Sequence, residues 1–434
     1  MSVAAELETT GPDLAVEGPD REVGNLPAWP ILVMLWGFPA MWLLGVTVIP
    51  AALSMTFVMV VLMCATREIT ILPGVGVFTA FVLWIVPTAV MLDGTARALG
   101  FVYRFSIVAF ALVAFVYTIS AWRQLTFRSV VNGLAFVWLF VVVGGILGML
   151  FPTTRLSTPV GVLMPAWLTS NPYVHDLFFP PFAEIQHPFG SPTAFLRPSA
   201  PFPYANSWGV AILILTPVAV AAFILARTWW TRVVLLLGAV GMVPAAMASS
   251  NRGMFVALGL SAAYIWVRQC FRNRAVPVIA IGSIAIATVL FLVSRGLFDQ
   301  LAQRQQYGQS TESRFTLYAE TIRRTMDSPL LGYGAPRPST AQDLSVGTQG
   351  FVWTLMFSFG FIGLALFLLF LWGTTIRTWR APSDVELALH SSLVVASAAV
   401  FVYGLDIMQM LALMLVSALL LRRRYGLDHS DVDP

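Results

Sequence analysis

Twelve apolar runs, each long enough to cross the roughly 30 Å hydrocarbon core of a membrane, dominate this chain of 434 residues. Apolar residues make up 58% of the chain and charged residues only 11%, a balance that excludes a water-soluble globule. The predicted fold class is an all-α polytopic membrane protein with about 12 transmembrane helices. The runs lie at about 29–46, 48–65, 72–92, 99–121, 130–151, 208–226, 231–247, 254–270, 276–294, 351–376, 387–402 and 406–421.

Arginine placement predicts which helix ends face the cytoplasm, because short cytoplasmic loops are enriched in arginine. One set of connections is rich in arginine and is therefore predicted to be cytoplasmic: it carries Arg67, Arg123, Arg128, Arg227, Arg232, Arg268, Arg272, Arg274, Arg377, Arg380 and Arg422 to Arg424. The short connections on the opposite side carry only Arg97 and Arg252. Both termini lie on the arginine-rich side and are predicted to be cytoplasmic, and the long loops at about 152–207 and 295–350 are predicted to be extracytoplasmic.

The chain is predicted to form one membrane domain, residues 28–425, with a short tail at each end. Residues 1–27 are acidic and lack the basic, apolar and cleavage regions of a signal peptide, so they are predicted to be a disordered cytoplasmic tail. Residues 426–434 form the second cytoplasmic tail. Two cysteines, Cys64 and Cys270, lie near the predicted cytoplasmic face, where a disulfide framework is not expected.

The longest charged segment of the chain runs from Ser310 to Gly363 and begins with an amphipathic helix. Such a helix lies on a membrane surface or caps a cavity. Asp327-Ser328-Pro329 ends it. Arg323 and Arg324 are interpreted as a pair that faces solvent or lipid headgroups. The apolar residues of the helix are Phe315, Tyr318, Ile322 and Met326, and the charged residues are Glu312, Arg314, Glu320, Arg323 and Arg324.

The first long loop is rich in proline and aromatic residues, as in 178–182. Two interpretations stay open: the rings form a belt at the membrane interface, or they line a carbohydrate groove. The loop also contains His175 and His187 near Asp176 and Glu184. These four residues have no ordered ligand spacing, so a metal site is not predicted there.

Two arginines of the predicted outer side are candidates for binding an anion. Arg252 follows Ser250 and Asn251, either of which can cap the next helix, so its guanidinium stands beside free N–H groups at a positive dipole end. The alternative is an arginine that snorkels to the outer headgroups. Arg314 opens the amphipathic helix in the same way. Two converging guanidinium groups suit a diphosphate, because they bind phosphate oxygens bidentately.

No metal or other cofactor is predicted. The only Asp-x-Asp sequence, Asp431 to Asp433, lies in the cytoplasmic tail. A pair of arginines can hold a leaving diphosphate in place of a divalent metal. In a transfer from a diphosphate carrier to a hydroxyl group, the diphosphate leaves without being protonated. The enzyme then needs only a base or an orienting group for the accepting hydroxyl.

Four short motifs follow one another in the C-terminal half of the chain: Ser-Asn-Arg-Gly at 250–253, Ser313-Arg314 with Tyr318, Asp-Ser-Pro-Leu-Leu-Gly-Tyr-Gly at 327–334, and Gly-Phe-Ile-Gly at 360–363. In order and spacing they resemble the O-antigen ligase and polymerase superfamily. The resemblance implies a bacterial, metal-independent membrane glycosyltransferase that moves a glycan from a polyprenyl diphosphate carrier to an acceptor hydroxyl at the outer face of the cytoplasmic membrane. It also implies that Arg252 and Arg314 bind the carrier diphosphate, with Tyr318, Arg323 and Arg324 as secondary candidates.

The chain departs from this family at one position. Family members commonly carry His-Asn about eleven residues before the Gly-x-x-Gly motif, where this chain has Gln349-Gly350. An amide cannot act as a base near neutral pH, so either Gln349 only orients the acceptor or a carboxylate takes the proton. Glu320 is the favoured carboxylate because it shares a helix with Arg314. The other outer candidates are Glu312, Asp327 and Asp343.

The expected partners are a polyprenyl diphosphate-linked glycan donor, a glycan or glycolipid acceptor and membrane lipids, with no nucleic acid. The sequence does not separate a surface polysaccharide polymerase from a ligase. A transporter or flippase for a lipid-linked glycan is the alternative. It predicts ionisable groups at mid-membrane depth, but the helices offer few candidates, and all of them are placed near an interface: Arg104, His390 and Asp406. A SEDS-type peptidoglycan polymerase is disfavoured by the Ser-Arg and Pro-Leu-Leu-Gly-Tyr-Gly patterns.

Overall fold

The computed structural model describes residues 26–47, 49–187, 194–294, 310–340 and 344–428, most of which are helical. The helices are α1 (Trp29–Trp36), α2 (Phe38–Leu44), α3 (Ile49–Thr66), α4 (Val75–Ile85), α5 (Thr95–Ser120), α6 (Phe127–Leu150), α7 (Pro159–Leu163), α8 (Ala166–Thr169), α9 (Pro172–Phe178), α10 (Ala205–Leu225), α11 (Trp229–Ser249), α12 (Arg252–Phe271), α13 (Ala275–Ser294), α14 (Ser310–Met326), α15 (Phe351–Arg377), α16 (Asp384–Ala399) and α17 (Ile407–Arg424). A 3-10 helix, Val86–Met91, follows α4. The antiparallel pairs β1 (Ala183–Gln186) with β2 (Phe195–Pro198) and β3 (Arg337–Pro338) with β4 (Ser345–Val346) lie in the two long loops.

The fold is that of an all-α polytopic membrane protein, whereas the number of crossings stays a prediction. Within the described residues, six helices are long and apolar enough to span a membrane: α5, α6, α10, α11, α12 and α15. Shorter apolar helices lie at Pro50–Thr66, Val75–Met91 and Ala275–Thr288. The first predicted run is two short helices, the second of which ends at Gly45 in a left-handed conformation (φ 80°) that glycine adopts without strain.

Helices α10 and α17 form the centre of the bundle. Every residue of α17 from Ile407 to Arg422 is buried. Helix α10 packs against α6 and α16, and α17 packs against α5 and α16. A helix that is apolar all round is stable when other helices or lipid surround it. The outer helices α11 and α12 instead expose apolar side chains such as Leu237 and Val256, which are 65% and 73% exposed, as expected of surfaces that face lipid tails.

The packed part of the chain extends beyond the predicted boundaries of the membrane domain. Leu26 is buried, and the hydroxyl of Tyr117 donates a hydrogen bond to the carbonyl of Pro27 at 2.6 Å. At the other end of the chain, Arg422 forms an ion pair with Asp428. These contacts hold the inner ends of the predicted tails, 1–27 and 426–434, against the bundle, while the domain boundaries stay a prediction. Residues 1–25 and 429–434 lie outside the described part of the chain.

Helix α14 presents its predicted apolar stripe outward. Phe315 and Met326 are 67% and 63% exposed, whereas Leu317, Thr321 and Thr325 are buried. The buried threonine hydroxyls donate to carbonyls of their own helix, at 2.6 Å from Thr321 and 2.7 Å from Thr325, so the polar inward face has hydrogen-bond partners. An exposed apolar stripe beside a charged face fits a helix that lies in the membrane interface.

The turn that follows α14 is hydrogen-bonded to a break in α15. Helix α15 has non-helical dihedral angles at Gly360 (φ 70°, ψ −176°), a conformation that is essentially restricted to glycine. The break frees backbone groups that the turn then satisfies. The N–H groups of Tyr333, Gly334 and Phe361 donate to the carbonyls of Phe357, Ser358 and Pro329 at 2.9, 2.8 and 2.8 Å.

The backbones approach so closely at this joint that two glycines have no space for a side chain. A Cβ on Gly360 would lie 2.0 Å from the carbonyl oxygen of Leu330, and a Cβ on Gly332 would lie 2.5 Å from that of Phe357. Gly332 also has a positive φ of 64°. The motifs at 327–334 and 360–363 therefore form one joint that fixes the end of α14 against α15.

Candidate functional site

Five segments meet at one end of the bundle and form the candidate site. They are the turn between α11 and α12, the first turn of α10, the β1–β2 hairpin, the loop between α16 and α17, and the connection from α14 to α15. Hydrogen bonds, stacked rings and electrostatic contacts connect them. The arginine distribution in the sequence predicts that this end faces the outside.

Asn251 holds the turn before α12. Its side-chain oxygen accepts hydrogen bonds from the N–H of Met254 at 3.3 Å and from the hydroxyl of Tyr403. Of the two caps that the sequence offers, the structure therefore uses Asn251. Gly253 packs against the same tyrosine, because a Cβ there would lie 2.2 Å from its hydroxyl oxygen. The half-buried Arg252 thus begins a capped helix, at the end where free N–H groups and the dipole favour an anion.

Arg197 is a third arginine of the site, and the sequence analysis missed it. Its side chain is buried, and Nε donates to the carbonyl of Ser249 at 2.9 Å. The guanidinium also donates to Asn206 at 3.2 Å and forms an ion pair with Glu184 at 3.5 Å. Arg197 therefore joins the β1–β2 hairpin to the start of α10 and to the last residue of α11, just before the Asn251 turn.

A sequence signal for Arg197 exists. It is an arginine in an apolar stretch of a predicted outer loop, where the positive-inside rule makes arginine uncommon. Glu184 lies directly opposite Arg197 in the register of the β1–β2 hairpin. Burial lowers the pKa of Arg197, Glu184 and Tyr403 raise it, and Arg314 lowers it. The last of these effects shows that Arg314 adds positive potential at the same place.

Tyr403 lies between the regions of the two arginines that are predicted to bind diphosphate, Arg252 and Arg314. Burial raises the pKa of Tyr403 to about 12, while Arg314 and Arg197 lower it. The same hydroxyl donates to Asn251, which caps the helix that begins at Arg252. Tyr403 thus contacts the turn before Arg252 and lies within the electrostatic range of Arg314.

Gln349 lies next to the loop that contains Tyr403. The backbone carbonyl of Gln349 accepts a hydrogen bond from the hydroxyl of Tyr318 at 3.3 Å, and the ring of Tyr318 stacks on Trp353 at 4.2 Å. Two residues after Gln349, the N–H of Phe351 donates to the carbonyl of Tyr403 at 2.8 Å. The structure therefore brings Gln349 and Tyr318 to the region of Arg314 and Tyr403.

Two of the four motifs singled out in the sequence, those at 250–253 and 327–334, lie in these segments, and the other two lie in the adjoining helices α14 and α15. Residues 237–368 match the family model Wzy_C, O-antigen ligase. The match confirms the resemblance to the O-antigen ligase and polymerase superfamily and indicates a bacterial membrane glycosyltransferase of this type. No curated protein matches the chain.

Within the segment that matches the family model, the carboxylate of Glu320 has several hydrogen-bond donors around it. Its carboxylate accepts from the hydroxyl of Ser339 at 2.5 Å, from the N–H and hydroxyl of Thr340 at 3.1 and 3.2 Å, and from Arg324 at 3.2 Å. Burial raises the pKa of Glu320, but these hydrogen bonds together lower it below its ordinary value. This geometry favours a role in anchoring the 339–340 backbone to α14 over the role of base that the sequence analysis favoured.

We expect Glu320→Gln to reduce the free energy of unfolding by about 1–3 kcal/mol, because an amide presents N–H groups to donors that need an acceptor. Since the folded-state pKa is lowered, the stabilisation by wild-type Glu320 is present above its ordinary pKa of 4.5 and is lost as the pH falls through the lower folded-state value. Thermal unfolding at neutral and acidic pH measures both effects. Asp327→Asn, an exposed change at the end of the same helix, is the control. Equal unfolding temperatures for the two variants at neutral pH would contradict the anchoring role.

The side chains of Arg323 and Arg324 point in different directions in the structure. Arg323 is exposed, in line with the predicted orientation. Arg324 is turned inward, where it donates to Glu320 and to the carbonyl of Pro338 at 3.0 Å and lies over the ring of Phe357 at 5.5 Å. The predicted solvent-facing or headgroup-facing pair is therefore wrong for Arg324, because the α14–α15 joint gives its guanidinium internal partners.

The remaining candidates are not gathered at this site. Asp327 is exposed at the end of α14, Asp343 and Asp431 to Asp433 lie outside the described residues, and so does the side chain of Glu312. In the described ranges no group of three or more His, Cys, Asp or Glu side chains is placed to hold a metal ion. Asp176 pairs with Arg155 at 2.6 Å, and the ring of His175 stacks on Phe179.

Proposed function

We propose that this protein transfers a glycan from a polyprenyl diphosphate carrier to an acceptor hydroxyl at the outer face of the cytoplasmic membrane, as a surface polysaccharide polymerase or ligase. One observation carries the proposal: Tyr403 contacts the capped turn before Arg252 and lies in the field of Arg314. Its partners would be the lipid-linked donor, a glycan or glycolipid acceptor and the surrounding lipids. Both termini would then be cytoplasmic.

The arginines would act on the leaving group. Negative charge grows on the diphosphate as the bond to the anomeric carbon breaks, and positioned guanidinium groups stabilise that charge more than they stabilise the bound donor. A buried donor supports this assignment: the amide nitrogen of Asn251 has no acceptor among the described residues, as expected of a group whose partner is a ligand or water. The exposed apolar stripe of α14 would keep the helix that carries Arg314 at the membrane surface.

The acceptor hydroxyl would displace the diphosphate in a single step. Its oxygen forms the new bond to the anomeric carbon, the diphosphate leaves with the electron pair of the old bond, and the hydroxyl proton passes to a base or to water. Such a displacement inverts the anomeric configuration. Gln349 would orient the acceptor, since the Glu320 oxygens already have partners.

The test is the surface glycan profile of cells that lack this chain, complemented at matched protein levels with wild type or Arg314→Ala. We expect short, unpolymerised or carrier-bound glycan in the deletion, rescue by wild type, and no rescue by Arg314→Ala. Glycan that accumulates on its own carrier as single repeat units indicates a polymerase, and complete chains that stay on the carrier indicate a ligase. Full rescue by Arg314→Ala would overturn the proposed leaving-group site and favour transport.

A further inference from the structure

An aromatic cavity lies between α2, α5, the start of α17 and the chain that leads into α10. It is close to the three arginines of the candidate site, Arg197, Arg252 and Arg314, which are called the arginine cluster below. About 530 Å³ of empty space lies within and in front of it, part of which is open solvent at its mouth, so a ligand here would be held partly in the cavity and partly outside it. Rings of five aromatic residues contribute to its wall, and its one charged lining residue among those described is Asp406. The aromatic residues are Phe38, Trp42, Tyr103, Phe202 and Tyr204.

Asp406 has a position that the fold by itself does not explain. It precedes the first residue of α17, yet its side chain does not cap that helix. Its carboxylate accepts a hydrogen bond from the side chain of Ser207 and forms no ion pair among the described residues. A carboxyl group has more hydrogen-bonding positions than the one that Ser207 fills, so a ligand in the cavity can form further hydrogen bonds with it.

The chemistry of the lining selects one class of ligand. A lipid tail would fill the apolar part of the cavity but would form no hydrogen bond with the remaining positions of the Asp406 carboxyl group, which it would cover. A phosphate would bring its negative charge to a wall whose described lining has a carboxyl group and no cationic side chain to bind it. A sugar ring satisfies both parts of the wall, because its C–H face packs on aromatic rings and its hydroxyl groups donate hydrogen bonds to a carboxylate.

The cavity and the arginine cluster share the first turn of α10. Tyr204 lines the cavity, and the next N–H along the chain, that of Ala205, donates to Glu184 at 2.9 Å. Glu184 is the ion-pair partner of Arg197. Ser207, in the same turn, contacts Asp406. A ligand in the cavity is therefore separated from the proposed diphosphate site by one turn of helix.

We propose that this cavity is a sugar-binding subsite that takes a ring of the acceptor glycan, with Asp406 accepting hydrogen bonds from its hydroxyl groups. The inference rests on the proposed function, because the proposed transfer needs an acceptor sugar beside the carrier diphosphate. It also decides between the two interpretations of the first loop: Phe202 and Tyr204 line a carbohydrate site rather than form only an interfacial belt.

The test measures sugar binding and diphosphate binding separately on the full-length protein in detergent. The sugar probes are the glycan released by mild acid from the lipid-linked pool of cells lacking this chain and the sugar part of their envelope glycolipids released by deacylation, both followed by ligand-observed NMR. The diphosphate probe is inorganic pyrophosphate, followed by the shift in unfolding temperature. The variants are Asp406→Asn, which keeps the shape of the side chain, Leu177→Trp, which adds a bulky ring to the cavity wall, and Arg314→Ala.

We expect wild type to bind at least one sugar probe, and both cavity variants to bind it at least tenfold more weakly while keeping the response to pyrophosphate. Arg314→Ala should show the reverse pattern. Unchanged sugar affinity in both cavity variants, or no binding of either sugar probe to wild type, would overturn the cavity proposal. If Asp406→Asn loses sugar binding while Arg314→Ala keeps the pyrophosphate response, the cavity stands and the arginine site of the proposed function fails.

Discussion

Arg314→Ala is expected to lower kcat/KM for glycan transfer by about 10²–10³-fold, equivalent to about 2.7–4 kcal/mol of transition-state stabilisation. The physical reason is that its guanidinium would meet charge that develops only as the diphosphate leaves. Arg252→Ala should have an effect of the same order. Arg314→Lys keeps the charge but loses the planar, bidentate geometry, so we expect intermediate activity. The measurement is single-turnover transfer from the purified lipid-linked donor.

Arg323→Ala is the matched control. It removes the same charge from the same helix at an exposed position, so we expect transfer within about twofold of wild type, because exposed charges contribute little. If Arg314→Ala and Arg323→Ala reduced transfer equally, the effect would come from the overall charge of α14, and the leaving-group site would have to be abandoned.

Gly360→Ala is expected to destabilise the protein by about 3 kcal/mol or more, the sum of an unfavourable backbone conformation and a steric clash. The φ of 70° and ψ of −176° are strained for any residue with a Cβ, and that Cβ would lie 2.0 Å from the carbonyl oxygen of Leu330. Because the clash is with backbone, a side-chain rotation cannot relieve it. Thermal unfolding in detergent and the monodisperse fraction on size-exclusion chromatography measure the loss.

The control for this change lies in the same helix. Gly373 is helical, and a Cβ there would meet only the flexible end of Arg377, at 3.2 Å. Gly373→Ala should therefore be neutral or slightly stabilising, because alanine has the higher helix propensity. Similar unfolding temperatures for Gly360→Ala and Gly373→Ala would mean that the joint between the turn after α14 and the break in α15 does not stabilise the fold.

The joint also connects stability to transfer. It fixes the C-terminal end of α14, and Arg314 lies near the other end of that helix. A weakened joint is therefore expected to reduce transfer even in the fraction of Gly360→Ala that remains folded, with a larger effect on kcat than on donor binding.

The sequence by itself determined the membrane-embedded helical class, the positions of the apolar runs and the two motifs that form the joint. These features depend on neighbouring residues, because hydrophobic periodicity, helix caps and glycine conformation are local properties of a chain. Arg252 and its capped turn were predicted for the same reason: the cap and the helix it begins are adjacent in sequence.

Only the tertiary structure decided which side of α14 is buried and which distant residues complete the site. The apolar stripe predicted from Phe315 and Met326 is exposed, because periodicity identifies an amphipathic face but does not say whether lipid or protein covers it. Tyr403 and Asn251 are hydrogen-bonded although 152 residues apart, and Arg197 and Asp406 join the same end of the bundle through α10. Contacts of this kind arise from how helices pack, which no local pattern encodes.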